Sequence, residues 1–300
     1  MAEIVTNTPP IIPPQEVEEK AISPWKEGWK SFKKNKVALV GLGIVLFFII
    51  LAIFAPLIAP YSYEGQKLSD KHLSPSSEHW FGTDEFGRDI LSRIIYGSRL
   101  SLWVGFLSVA GSVVVGSFLG IIAGYYGKWI DTIISRLFDI VLAFPSILLA
   151  IAVVAVLGPS LRNALIAIAI VNVPTFGRLL RSRVLTVKEE EYVTAAKAIG
   201  MGDGRILIHH VLPNSLAPII VQGTLAIATA IIECAALGFL GLGAQPPSPE
   251  WGKMLADSRQ FIIQAPWTVL FPGIAIMLTV LGFNLMGDGL RDALDPRMKN

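Results

Sequence analysis

Long apolar segments constrain this chain more than any other feature of its sequence. A helix needs about 20 mostly apolar residues to cross the hydrocarbon core of a bilayer. Five segments meet that requirement, namely residues 37–59, 100–124, 138–157, 216–243 and 267–286. A sixth, residues 164–180, is interrupted by Asn172 and Pro174. We count it as a span because the charges of the flanking loops fit a membrane topology only if it crosses.

The composition agrees with a bilayer as the solvent. Hydrophobic residues make up 53% of the chain and charged residues 16%, whereas charged residues are about a quarter of an average soluble domain. We therefore predict an all-α polytopic membrane protein with six transmembrane helices.

The basic residues indicate the orientation, because lysine and arginine near span ends favour the cytoplasm. They cluster before the first span, within residues 178–205 and after the last span. The predicted outer loop, residues 60–99, also carries five basic residues, namely Lys67, Lys71, Arg88, Arg93 and Arg99. Both termini on the cytoplasmic side remain the better fit. The mixed charge of the outer loop favours a docking surface or a structural brace over a substrate pocket.

The regions at the two ends have different characters. Residues 1–22 are rich in proline and charge, and we predict a disordered cytoplasmic tail. Within residues 23–36, Trp25, Trp29 and Phe32 recur at helical spacing among lysines, which predicts an interfacial helix. A basic linker without fixed structure is the alternative. Residues 289–300 are predicted to be a cytoplasmic tail.

The sequence contains no pattern typical of catalysis or of a bound cofactor. Its one cysteine, Cys234, lies in an apolar span, and its four histidines lack the spacing of a zinc site. A Gly-rich loop ending in Gly-Lys-Ser/Thr, which would cradle nucleotide phosphates, does not occur. We predict a non-catalytic chain without metal or cofactor. If transport is driven by ATP, partner subunits must use the ATP and Mg²⁺.

The longest predicted cytoplasmic loop is residues 181–214. Its residues 187–199 lack glycine and proline, and Tyr192, Ala195, Ala196 and Ile199 recur on one helical face. Glycines at 200, 202 and 204 permit a reversal into a second short helix, residues 205–211, which Pro213 should end. The first helix is either a docking surface for a partner or a surface helix packed on its own protein.

Polar groups inside the spans are candidates for function, because burying them in lipid is costly. Glu233 either lines a solute path or makes a structural hydrogen bond between helices. Asp139 lies nearer a span end and is predicted to be interfacial. Gln222 and Asn172 are candidates for hydrogen bonds between helices.

The predicted loop carries a family resemblance. The run from Tyr192 to Gly200, followed by His210-Val-Leu-Pro213, resembles the "EAA" loop of bacterial ABC importer permeases. In that family the loop is the coupling helix that seats in a groove of the ATPase subunit. The resemblance implies ATPase-coupling roles for Tyr192, Thr194, Ala195, Ala196, Ile199, Gly200, Leu212 and Pro213. Thr194 stands where the family pattern has glutamate, and His210 where it has an aliphatic residue.

Longer motifs point to one branch of that family. Residues 79–93, 96–102, 236–252 and 284–296 look like signatures of the second permease in dipeptide, oligopeptide and nickel importers. The similarity runs from about residue 25 to residue 297. It implies a type I ABC importer permease fold with its core in residues 100–288. It also implies that the outer segment, residues 244–266, docks a binding protein through Gln245, Pro247, Glu250 and Trp251.

The resemblance implies a function and a set of partners. The chain would be a permease that imports peptides across the membrane of a bacterium or archaeon by alternating access. Its partners would be a second homologous permease, two cytoplasmic ABC ATPases, an extracytoplasmic solute-binding protein and the lipid bilayer, with no nucleic acid. Import of nickel or another small solute is an alternative. Two further hypotheses, which the sequence favours less, are an ion-coupled transporter that uses Glu233 and Asp139, and a membrane scaffold without transport activity.

Overall fold

A computed structural model describes residues 24–294. The predicted tail, residues 1–22, and the last part of the predicted C-terminal tail lie outside that range. The helices are α1 Pro24–Phe32, α2 Lys36–Ile53, α3 Ala55–Ile58, α4 Ile90–Tyr126, α5 Lys128–Leu142, α6 Ser146–Leu157, α7 Leu161–Val187, α8 Glu191–Ala198, α9 Asp203–Ile206, α10 Leu212–Phe239, α11 Trp251–Ser258 and α12 Trp267–Leu294. Within 24–294 the only β pairing is an isolated bridge between Thr83 and Asp89.

Five helices in the described range are long and apolar enough to cross a membrane. They are α2, α4, α7, α12 and a continuous helix from Asp203 to Phe239 that contains α9 and α10. The bent pair α5 and α6 makes a sixth candidate. Length and apolarity thus agree with the predicted number of spans, and several helices extend beyond the apolar segments that identified them.

The predicted span at residues 138–157 is divided between two helices, α5 and α6. The chain bends by 93° between α5 and α6. Pro145 lies at this break and precedes the first residue of α6. A proline has no N–H to donate and disfavours helical geometry in the residue before it, so α5 ends and a new helix begins.

Pro213 does not end a helix as predicted. A five-residue π-helix, Leu207–Val211, joins α9 to α10, and Pro213 lies in the first turn of α10. The Leu212 N–H bonds the Leu207 carbonyl across this wider turn. Because the regular hydrogen-bond ladder is already interrupted there, the proline ring is accommodated without a break.

Three glycines bring α4 and α7 into backbone contact. Gly116, Gly120 and Gly124 recur every four residues on α4 and face α7. A Cβ atom added to Gly120 would lie 2.2 Å from the carbonyl oxygen of Gly177. Small residues at this spacing let membrane helices approach closely, and packing then holds them together. The α4–α7 pair is therefore the rigid centre of the bundle.

The N-terminal helix α1 packs on the end of α12. Phe32 is buried with Ala38 and Ala293, whereas Trp29 is exposed. The Trp29 and Phe32 rings stack 5.7 Å apart. The predicted helix is thus present, and one of its aromatic residues packs inward while another faces outward.

Candidate functional site

The loop between α7 and α10 forms the first candidate surface. Helix α8 spans Glu191–Ala198, and Gly200 then adopts a φ of +84° that favours glycine. The chain reverses there and enters α9 at Asp203. A helix followed by a glycine turn therefore lies where the sequence predicted it.

The inner face of α8 packs on its own protein. Val193 is buried in an apolar cluster with Val184, Ile206 and Val211, and Ala196, one turn later, is also buried. Ala196 therefore faces the interior of its own protein here, and its role in coupling stays a prediction.

The outer face of α8 is exposed on the surface of the protein. Tyr192, Thr194, Ala195, Ile199 and Gly200 are exposed, Pro213 is exposed nearby, and Leu212 is half-buried. The side chain of Ile199 is 81% exposed. The inner face therefore packs on its own protein, as one interpretation of the sequence predicts, and the exposed small and apolar groups of the outer face keep it a candidate docking surface.

Helix α4 anchors this loop. The Tyr125 hydroxyl, in the last turn of α4, donates a 2.6 Å hydrogen bond to the Asp203 carboxylate. The Lys197 ammonium lies 5.4 Å from the centre of the Tyr125 ring. We call Tyr125, Lys197 and Asp203 the α4 clamp. It ties both α8 and α9 to the long helix α4. No local pattern in the sequence marks these three residues as partners.

Two ion pairs join α5 to α7. Arg181 donates to Asp131 at 2.6 Å, and Arg178 donates to Asp139 at 2.6 Å. Asp139 is half-exposed, as expected for an interfacial residue. Its carboxylate already has an arginine partner, which argues against Asp139 as an ion-transport site.

Glu233 is buried where three helices meet. Asn172 of α7 lies 3.4 Å from its carboxylate, and the Ser146 side chain at the start of α6 also hydrogen-bonds to it. Asn172 donates a second bond to the Ile168 carbonyl at 3.0 Å. The carboxylate of α10 is thus hydrogen-bonded to two other helices, as the structural interpretation of Glu233 and Asn172 predicts.

The outer loop folds around a buried charged cluster, which we call the outer brace. Arg88 donates to Asp84 at 2.6 Å, and His79 pairs with Asp89 at 3.0 Å. Arg93 donates to the carbonyls of residues 63 and 247 at 3.1 and 3.4 Å. All five side chains are nearly inaccessible. The outer brace therefore fastens the loop to the outer segment, in agreement with one of the two roles predicted for it.

Two of the predicted docking residues are buried. The Trp251 indole donates to the Ile94 carbonyl at 3.1 Å. The Glu250 carboxylate caps α11 by accepting from the N–H groups of residues 252 and 253 at 2.9 and 2.8 Å. Burial raises the pKa of Glu250 to about 7. These two side chains therefore support the outer segment from within, whereas Gln245 and Pro247 are exposed, and the docking role of the segment stays a prediction.

Two family profiles match the chain. The profile described as "Binding-protein-dependent transport system inner membrane component" covers residues 116–300. The chain belongs to this family. The profile of the N-terminal TM domain of oligopeptide transport permease C covers residues 23–75. The expected relationship to a permease of the dipeptide and oligopeptide branch is therefore confirmed.

Individual relatives agree with the family assignment. The dipeptide transport system permease protein of Alkalihalophilus pseudofirmus is 68% identical over 97% of this chain and 96% of its own length. The glutathione transport system permease protein of Pectobacterium atrosepticum is 46% identical over 95% of both chains. An inward-facing structure of the MetNI methionine ABC transporter aligns with a TM-score of 0.56 at 18% identity. That alignment covers 69% of this chain and 98% of the other. The type I ABC importer permease fold is therefore confirmed.

Proposed function

We propose that this inner membrane component imports short peptides, with ATP hydrolysis supplied by separate subunits. The observation that carries the substrate class is the 68% identity, over nearly the whole chain, to a dipeptide permease. A 46% identical relative is named for glutathione, which is also a short peptide. The chain itself acts as a non-catalytic transport subunit.

The exposed face of α8 is proposed to seat in a groove of the ATPase. Ala195 and Gly200 let a partner approach closely, and Ile199 offers an apolar side chain that is 81% exposed. Tyr192, Thr194, Leu212 and Pro213 complete the surface. Two ATPases, which use ATP and Mg²⁺, would bind this permease and a second homologous permease. The loop then lies on the cytoplasmic side, as do both termini of the chain.

The α4 clamp and the α4–α7 glycine contact suggest how motion is transmitted. When the ATPases close, α8 moves with them, and Tyr125 and Asp203 carry that motion to α4. Since α4 packs backbone to backbone against α7, the two helices move as one body. Rigid-body movement of this kind keeps every backbone group bonded within lipid while access alternates.

The opposite end of α4 is proposed to lie beside the docked binding protein. Asp89 of the outer brace caps α4 by accepting from the Ser92 N–H at 2.8 Å. Arg93 connects the same helix to the carbonyl of Pro247. Gln245 and Pro247 are the exposed candidates for docking, and Glu250 and Trp251 hold that segment in place from beneath.

For Glu233 we propose a helix-linking role rather than a place on the solute path. Its carboxylate is buried and bonded to side chains of α6 and α7. Glu233→Gln keeps a group able to accept and donate these bonds, so uptake should persist. A change in the ratio of uptake between positively and negatively charged peptides would instead assign Glu233 to the path.

The coupling proposal is tested by placing arginine on the exposed face of α8. Ala195→Arg and Ile199→Arg should abolish ATPase co-purification and ATP-dependent uptake of a labelled dipeptide. Thr186→Arg, at an exposed position of α7 outside this face, is the matched control. Intact assembly and uptake in both α8 variants would refute the coupling surface. Accumulation of Ni²⁺ without dipeptide uptake in the unmodified importer would favour the nickel alternative.

A further inference from the structure

A large cavity opens on the flank of the bundle. It has a volume of about 830 Å³ and lies between α2, α12, the start of α4 and the outer loop. Cavities that hold small ligands measure about 300–1,000 Å³. Phe81 and Phe271 stack 4.0 Å apart within its wall, in nearly parallel planes. The cavity is thus large enough for a ligand, and packed aromatic rings form part of it.

The cavity follows α12 into the apolar part of that helix. Its wall on α12 reaches as far as Leu278, 11 residues after the helix begins at Trp267. At 1.5 Å per residue this is about 16 Å, close to half of a hydrocarbon core about 30 Å thick. With the outer loop on the extracytoplasmic side, as proposed, this depth corresponds to the outer leaflet.

The polar groups of the cavity lie toward the outer loop. Walls contributed by α2, α4 and α12 are apolar, whereas the loop contributes Tyr61, Ser77, Glu78 and Trp80. The Tyr61 hydroxyl donates to the Glu78 carbonyl at 3.0 Å, and Trp80 is 69% exposed. Tyrosine and tryptophan favour the level of lipid headgroups. The cavity is thus apolar at depth and polar at its mouth, the same polarity as a membrane lipid.

The apolar wall of the cavity and the single carboxylate at its mouth indicate which kind of molecule can occupy it. An apolar space does not hold ordered water, because water needs polar partners. Among the described residues that line the cavity, Glu78 is the one charged group, and neither lysine nor arginine is present. A carboxylate at the mouth attracts an ammonium and repels an anionic headgroup.

We propose that this cavity binds one acyl chain of an outer-leaflet phospholipid whose headgroup carries an ammonium, such as phosphatidylethanolamine. The acyl chain of the lipid fills the space between α2 and α12, and the ammonium of its headgroup lies beside Glu78. The bound lipid thereby supports the outer loop against the helices. The leaflet assignment rests on the proposed topology, whereas the binding site itself rests on the cavity.

Native mass spectrometry of the purified permease, with the subunits that accompany it, tests this proposal. The sample receives equal amounts of phosphatidylethanolamine and phosphatidylglycerol with the same acyl chains. We expect retention of phosphatidylethanolamine, and its loss in Ile274→Trp and Leu278→Trp, each of which places a larger ring in the wall and narrows the space open to an acyl chain. Met277→Trp, on the same helix but outside the cavity lining, is the matched control and should retain the lipid. Glu78→Gln should remove the preference between the two headgroups.

Equal lipid retention in the cavity and control variants, or no retained lipid, would overturn the site. A photoreactive acyl chain on phosphatidylethanolamine supplies a test on the unmodified protein, should a tryptophan variant fail to fold. Its crosslinks should map to residues 271–278. Crosslinks from a photoreactive residue at Ile274 to another subunit would instead make the cavity a protein interface and refute the proposal. Neither readout needs ATPase activity or uptake, so it stands apart from the proposed transport function.

Discussion

Replacing Gly120 by alanine should separate the two central helices. The added Cβ would lie 2.2 Å from the Gly177 carbonyl oxygen and 3.0 Å from its Cα atom. Both atoms belong to the backbone, so no side-chain rotation can relieve the clash, and α4 must move away from α7. Overpacking of this kind costs about 1–3 kcal/mol, while glycine-to-alanine in a helix returns about 0.5–1 kcal/mol. We expect a net loss of roughly 1–2 kcal/mol of folding stability.

Gly111 provides the matched control on the same helix. A Cβ at Gly111 would lie 3.7 Å from the Ala169 methyl group, which is an ordinary contact. Gly111→Ala should therefore leave stability unchanged or raise it slightly. The assay is the thermal midpoint of each detergent-solubilised variant, measured by the fraction that remains monodisperse after heating.

The comparison also has a functional readout. If α4 and α7 transmit motion as one body, Gly120→Ala should lower dipeptide uptake per ATP hydrolysed, and Gly111→Ala should not. Equal midpoints for the two variants would show that the α4 and α7 backbones are not in contact at Gly120. That result would refute the proposal that α4 and α7 move together as one body.

Three further predictions concern the ends of α4 and the outer segment. Tyr125→Phe removes the hydroxyl that bonds Asp203 and should weaken the coupling of uptake to ATP hydrolysis without loss of ATPase binding, whereas Tyr126→Phe should behave as wild type in both assays. Because burial raises the pKa of Glu250 to about 7 from an ordinary 4.5, the folded protein binds this proton more tightly than the unfolded chain. Thermal stability should therefore fall as pH rises from 4.5 to 7, and a pH scan of Glu250→Gln should show a smaller decline. Arg93→Ala leaves the buried Asp84 carboxylate with one arginine fewer and should cost up to about 3–5 kcal/mol, as chemical unfolding would show against the exposed control Arg99→Ala.

Much of the fold could be predicted because a bilayer imposes a simple length requirement. A segment such as residues 267–286 reveals a candidate span through its own composition. The short helix and glycine turn of the loop that follows α7 were likewise predictable from the run that begins at Tyr192. The Gly116, Gly120 and Gly124 repeat was also visible in the sequence, and the four-residue spacing of small residues was the signal that could have identified the α4–α7 contact.

Other features depended on surfaces that distant parts of the chain supply. Val193 lies inward because Val184 and Ile206 pack in the same apolar cluster. The Tyr125–Asp203 bond joins residues 78 positions apart, and no local pattern marks either of them.

The same distinction applies at the outer side. Trp251 belongs to a motif that suggested an exposed docking residue, yet its indole bonds the Ile94 carbonyl 157 residues away. The sequence by itself determined that the chain is a helical membrane protein and which family it belongs to, because apolar length and motif order are local properties of the chain. Only the tertiary structure decided which face of each helix is free, because burial depends on what the rest of the chain packs against it.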